Sequence, residues 1–416
     1  MMLGRFSFGI GDRFGCQGRA QLAAFIRAKE LGVDVTPVWN KSNREHTIIG
    51  TRPSDVRKEA DEAVRTCGWK GAYFVDADHI GMSNVDKFIE ASDFFTLDVA
   101  DFIAKTANQS DVDAFVKKRG RRISESARGS GIAVARHTGE EHIRRISAKY
   151  LLAVKQVGKI YRRIASVKGK DNFVTEVSMD ETDDPQKPME LLVILAAMAE
   201  EGIPAQTVAP KFAGRFNKAV DYAGSVSAFG KEFQRHLMVV RLAGDEFGMP
   251  KNLKLSVHSG SDKFSIYGPI RQAIQKFDAG LHIKTAGTSW LEELIGLATA
   301  GGEGLTIVKE IYRQAVARLD ELCEPYEAVI DIDRANLPPV KQVDEWDGQR
   351  FAAALRHDEK CEYYDANLRQ LMHVAYKVAA EMGRRYTSAL KEYEQVIAKN
   401  VTENIFERHI KPIFIG

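Results

Sequence analysis

Short, strand-length apolar runs recur along residues 1–300, and each gives way to a longer stretch of helical character. Residues 5–10 (RFSFGI) lead through the turn GDRFG to a helix over 17–31. Residues 33–39 (VDVTPVW) lead to a helix from Pro53, where proline suits the first turn. Residues 71–76 (GAYFVD) run into Asp78 and His79, and Ser83 and Asn84 behind them can cap a third helix. Residues 94–99 (FFTLDV) form the fourth run, followed by a mostly helical, basic stretch over 101–170. Residues 173–177, within NFVTEVSMDET, precede a helix over 189–201. Residues 205–209 precede a loop over 211–221 and a helix over 226–247. Residues 253–257 precede a helix over 265–277, and residues 279–283 precede a last helix from about Ser289.

Eight β-then-α units in order describe an α/β protein of the (β/α)8 barrel type. An open doubly wound sheet also alternates strand and helix, but eight strands with none left over favour the barrel. The reading is a catalytic barrel over 1–300, with 101–170 as a helical insertion after the fourth strand. Beyond residue 300 the pattern turns helical, strongly amphipathic over 363–397. Residues 301–416 are therefore expected to form a helical extension packed on the barrel, covering the site or serving contacts in a homo-oligomer.

Composition narrows the function classes. With 44% hydrophobic and 28% charged residues, the 416-residue chain reads as a soluble globular protein with a sizeable core. A net charge of +2 argues against an obligate polyanion binder. The basic stretch over 101–170 carries no nucleic-acid recognition motif, so a solvated surface or an anion-attracting lid is expected there. The four cysteines are isolated and form no CxxC pair, which suits a reducing compartment without disulfides or a thiolate zinc site. No apolar run reaches the roughly 18 residues of a membrane span, and the start MMLGRFSFGIGDRFG lacks signal-peptide organisation. A cytoplasmic protein with neither nucleic acid nor membrane as partner is expected.

In a barrel, chemistry gathers where strands end and βα loops begin. Three of the ten histidines, His79, His258 and His282, fall at such ends, and neutral imidazole suits a divalent metal such as zinc, manganese or nickel. His46, His137, His142, His236, His357, His373 and His409 lie in loops or helices and are expected at the surface or in packing. Asp78 and Glu176 are the proton-transfer candidates, because carboxylates beside a metal can have tuned acidity. Asp76 competes with Asp78, since strand alternation puts both on one face. Lys211 and Lys284 are positioned to bind an anion or polarise a carbonyl, and a Schiff-base lysine is the rival reading. The glycine-containing loops SGSDK (259–263) and TAGTSW (285–290) occupy places where many barrels bind anions. Arg13, Asp180, Ser259, Asp262 and Thr285 complete the residues expected to contact substrate.

The stretches KFAGRFNKAVDYAG (211–224), LKLSVHSGSDKFSIY (253–267), DAGLHIKTAGTSWLEE (278–293) and VTENIFERHIKPIF (401–414) resemble the tagaturonate/fructuronate epimerase family, UxaE. FVDADHIG (74–81) and NFVTEVSMDET (172–182) extend that resemblance over nearly the whole chain. The resemblance implies an isomerase, a metal-dependent epimerase that inverts C4 of a ketohexuronate; some relatives act on the neutral ketoses tagatose and fructose. With the carbonyl at C2, the C4 hydrogen is not acidic, so the chemistry points to retro-aldol cleavage of C3–C4 and re-addition. A divalent metal would stabilise the enediolate as a Lewis acid. The roles this implies are His79, His258 and His282 as ligands, Asp78 as proton acceptor and Glu176 as its acid/base partner. Lys211, Lys284 and Arg13 would orient the carboxylate or sugar hydroxyls. The alternatives are a class II-type ketose-phosphate aldolase, which lets the fragments leave, and a non-catalytic sugar-acid-binding barrel.

Overall fold

The computed structural model of the chain describes residues 1–103, 105–132, 139–285 and 287–416. Its strands are β1 (Phe6–Gly11), β2 (Val35–Ser42), β3 (Phe74–Ile80), β4 (Phe94–Asp98), β5 (Val174–Met179), β6 (Thr207–Pro210), β7 (Lys254–Val257) and β8 (Leu281–Lys284). They pair in parallel in chain order, and β8 closes on β1 with Ser7 opposite His282 and Gly9 opposite Lys284. This is a (β/α)8 barrel.

Period-two alternation explains why these strands close. Phe8, Ile10, Trp39, Val75, Ala77, Phe95, Leu97, Val177, Val208, Leu255, Val257, Leu281 and Ile283 face outward and join the core shared with the helices. The alternate positions face inward. Leu3, Val38, Phe74, Phe94 and Val174 make a small separate apolar plug low in the barrel. Above the plug the interior turns polar, with Ser7, Asn40, Asp76, Thr96, Glu176, Ser256 and Lys284 all buried. Burying so many polar groups is costly unless they satisfy one another, and that cost locates the site.

The outer layer contains α1 (Gly18–Glu30), α2 (Asn43–Ile49), α3 (Pro53–Cys67), α4 (Gln109–Gly129), α5 (Glu140–Lys168), α6 (Pro188–Glu200), α7 (Val226–Glu246), α8 (Phe264–Lys276) and α9 (Thr288–Ala300). Ser42 and Glu45 close a capping box on α2, and Pro53 opens α3. After β3 the expected helix is only a single turn, Val85–Lys87, because Asn84 ties back to the Gly81 amide in a tight loop. In the basic stretch, α5 packs beside α6 and α4 packs on α5. Lys118 and Arg119 meet Glu200, and Lys155 meets Asp111 at 2.6 Å, so much of this charge is spent between helices. His137 lies outside the described residues.

Beyond α9, α10 (Gly302–Ala317) packs on it. The amphipathic run over 363–397, which reads as continuous, is broken into Ala366–Val374, Tyr376–Met382, Arg384–Glu392 and the start of Glu394–Glu403. One break falls at Gly383 (φ 58°), a conformation that glycine adopts without a Cβ penalty. Among the described residues, no helix is long and apolar enough to cross a membrane.

Candidate active site

The strand ends and their loops surround a cavity of about 590 Å³, a size suited to a small-molecule ligand. Asp78, His79, Asp98, Asp180, His258 and Lys284 line its floor. Lys211, Phe212 and Gly214–Lys218 line one wall, and Pro325, Tyr326, Ala328, Val329 and His373, from beyond the barrel, line another.

Two departures from regular strand geometry build the floor. Alternation alone would put Asp78 and His79 on opposite faces of β3. The pairing with β4 shifts register between Ala77 and Ile80, and His79 takes a left-handed φ of 51°, so both side chains reach the cavity. Ser259 (φ 49°) does the same after His258. Left-handed backbone costs a non-glycine residue about 1–3 kcal/mol and persists where surrounding contacts enforce it.

At the centre, the Lys284 ammonium touches Asp76 at 2.7 Å, Asp78 at 2.9 Å and Glu176 at 3.0 Å. Burial alone would depress its pKa, but those three charges outweigh it and hold it well above the usual lysine range. An ammonium held by three carboxylates is a poor nucleophile, which counts against a Schiff base at Lys284. Its position also corrects the expectation that Lys284 binds substrate charge: the ammonium is already spent on protein carboxylates. Asp76 and Glu176 are fully buried and do not line the cavity, whereas Asp78 does. Burial raises the Asp76 carboxyl to about 7 against the pull of Lys284. Glu176 is held well below the usual carboxylate range despite burial, by Lys284 and then by His258.

Beside this cage stand two imidazoles. His258 Nε2 lies 2.8 Å from Glu176 and its Nδ1 3.2 Å from Asp180. His79 Nδ1 lies 3.2 Å from Asp98. Burial opposes protonation of both rings, but Asp180 and Glu176 lift His258 to about 9, and Asp78 and Asp98 lift His79. One ligand atom from each of His79, Asp180 and His258 falls within 4.8 Å of the others, and His79, Asp98 and Glu181 form a second such group. Two imidazoles and a carboxylate, in a field that already calls for positive charge, fit a divalent cation.

The other expected residues divide. Asp180 sits on His258, where it is better placed as a ligand than as a substrate contact. His282 lies one interior layer below Lys284, with Nδ1 2.9 Å from the Ser7 hydroxyl and its ring against Phe94. Burial drops its pKa to about 3, and it belongs to neither metal-type group; β8 extends two residues past His282, so the strand end is Lys284. Lys211 lines the wall, its ammonium bonded to the Thr182 carbonyl. Arg13 also lines the cavity, yet it is buried against Glu45 at 3.3 Å, the His373 carbonyl at 2.7 Å and the Tyr376 ring. Ser259 faces the cavity. Asp262 turns away into an ion pair with Arg369 at 3.0 Å, because its own φ of 61° redirects the loop. Thr285 is consumed stitching β8 to the Gly9 carbonyl at 2.7 Å. Of the two glycine-containing loops, only the first therefore reaches the cavity among the described residues, and no described residue of 101–170 lines it. Sequence reasoning missed Asp98 as a partner of His79, and it missed Lys218, Tyr326 and His373.

Fold and cavity together define a (β/α)8 enzyme with a charged cluster of histidines and carboxylates at the strand ends. The profile of the tagaturonate epimerase family, UxaE, matches residues 2–413. A tagaturonate/fructuronate epimerase of Thermotoga maritima is 28% identical over 420 residues, covering 98% of this chain and 80% of its own. The native crystal structure of the fructuronate-tagaturonate epimerase UxaE of Cohnella laeviribosi superposes with a TM-score of 0.78 at 22% identity, covering 98% of this chain and 81% of that one. A glycerol complex of the same protein gives a TM-score of 0.77. The chain belongs to the tagaturonate epimerase family and is an isomerase.

Proposed function

We propose that the protein is a metal-dependent C4 epimerase interconverting D-tagaturonate and D-fructuronate by retro-aldol cleavage and re-addition. The observation carrying this reading is the convergence of His79, Asp180 and His258 beside the cavity-lining carboxylate of Asp78. A zinc, manganese or nickel ion held by those three residues would supply Lewis-acid stabilisation of charge developing on the substrate oxygens.

Asp78 takes the proton of the C4 hydroxyl. The O4 electron pair forms the aldehyde carbonyl as C3–C4 breaks, and the bonding pair remains as an enediolate over C2 and C3. The aldehyde fragment turns about its C4–C5 bond, C3 adds to the other face, and Asp78 returns the proton to O4. Direct abstraction of the C4 hydrogen fails because C4 is one carbon too far from the ketone. Lys284 keeps Asp78 ionised, its pKa lowered against burial by the adjacent ammonium. Glu176, buried behind the cavity, is assigned as acid/base partner through His258, which it touches at 2.8 Å.

Metal-loaded protein incubated with fructuronate is expected to yield tagaturonate, and chelation is expected to stop conversion. Full turnover after exhaustive chelation contradicts the reading.

A further inference from the structure

Among the described residues, six cationic side chains line the cavity: Arg13, Arg44, Lys211, Arg215, Lys218 and Lys284. Most are committed elsewhere. Lys284 is caged by carboxylates, Arg13 pairs with Glu45, and Arg215 pairs with Asp331 at 3.0 Å. Arg44 is exposed at the rim, over the Tyr326 ring, and Lys211 holds the Thr182 carbonyl. Lys218 is different. It is half-buried, and where Lys211 and Arg44, likewise without a carboxylate partner among the described residues, hold backbone carbonyls, its ammonium donates to the Ser259 hydroxyl at 2.7 Å. Because that oxygen accepts from Lys218, the Ser259 O–H is left to donate.

His373 brings a buried ring with an unmet nitrogen to the same cavity lining. Its side chain is buried and lines the cavity. Its Nε2 lies 3.3 Å from Arg13 Nη2, and a guanidinium only donates, so Nε2 accepts and Nδ1 carries the proton. Among the described residues Nδ1 has no partner, and a buried donor left unmet is unfavourable. Arg13 and Lys218 both disfavour a second proton on this ring, after burial. Gly287 is what lets this corner close: a Cβ there would come within 2.5 Å of Arg13 Nη2 and 3.0 Å of His373 Cε1.

We propose that Lys218, Ser259 and His373 form the seat for the substrate's carboxylate, a corner built of hydrogen-bond donors beside the reaction centre. The inference rests on the ketohexuronate reading and deepens it. Cleavage of C3–C4 leaves the carboxylate on the aldehyde fragment, two bonds from C4. A seat gripping C6 holds that fragment while C4 turns about C4–C5, so it retains the fragment without blocking the inversion. Lys218 and His373 act here as specificity-determining groups for acidic over neutral ketoses.

The test is the binding of fructuronate and of fructose to the metal-loaded protein by calorimetry, alongside turnover of each. Lys218→Met is expected to weaken fructuronate binding by about 10- to 100-fold, the range for losing a charge-assisted hydrogen bond, while fructose affinity changes by less than about threefold. Lys218→Arg should recover most of the loss. His373→Asn, whose amide nitrogen sits near the Nδ1 position, should retain fructuronate binding better than His373→Gln. Equal weakening for both sugars, or no change in fructuronate affinity, overturns the seat, as does a wild-type protein that fails to bind fructuronate. If wild-type protein binds fructuronate through Lys218 but turns over neither sugar, the seat stands and the epimerase reading falls.

Discussion

His258 and Asp262 lie four residues apart on one loop, each anchors a buried charged network, and the two networks differ in what they leave undone. Around Asp262, Arg369 donates to the Asp262 carboxylate and to the Ala219 and Leu355 carbonyls. His409 accepts the Asp262 amide at 3.1 Å, and Lys263 donates to the carbonyls of Asn217, Val220 and Ser261. These groups mainly hold one another, and neither Asp262, Lys263 nor Arg369 lines the cavity. Around His258, five carboxylates (Asp76, Asp78, Asp98, Glu176 and Asp180) crowd one ammonium and two imidazoles, Glu176 Oε2 has no partner among the described residues, and several members face the cavity. Buried charge is common to both networks; the one around His258 differs in being unbalanced and in opening onto the cavity.

The comparison can be broken from either side. His258→Ala should cost the most in function, more than about 10⁴-fold in kcat/KM or about 5 kcal/mol of transition-state stabilisation. Bound metal should be lost; retained metal and activity would erase the distinction. Arg369→Met should do the reverse. It strands a buried carboxylate and should cost about 3–5 kcal/mol of unfolding free energy by denaturant titration, with kcat of the folded fraction nearly intact. Lys284→Met tests the cage and should lower kcat by about 10²- to 10³-fold, with Asp78 losing the charge that keeps it ionised. An unchanged pH–rate profile would show that the cage is merely structural.

A smaller effect sharpens the stability side. Glu292 is buried, accepts from Asn404 at 2.6 Å, and is raised by burial to about 7 from an ordinary value of 4.5. The folded state then holds a proton that the unfolded state releases, so stability is full below pH 4.5 and is lost as pH rises to about 7. The loss should be about 1–3 kcal/mol. Glu292→Gln, measured by thermal melts across that range, should flatten the slope without altering fructuronate affinity.

The barrel was legible because eight strand-length apolar runs each give way to a helical stretch, with none left over. Asp78, His79 and His258 were legible as residues at strand ends. His282 was misread because β8 runs on to Lys284, and a period of two places it one layer deeper. The pairing of Asp78 with His79 could not be read at all from alternation, since it depends on a bulge. Lys218 sits in a loop with no periodic signal. His373 and Tyr326 come from helices far along the chain, and only tertiary packing brings them to the cavity.

If this cluster inverts C4 by breaking and remaking a carbon–carbon bond, C4 keeps its own hydrogen throughout. Turnover of fructuronate in heavy water, with the product read by NMR, tests it most directly. Tagaturonate carrying its original hydrogen at C4, with no deuterium there, is the predicted result; deuterium at C4 would contradict it.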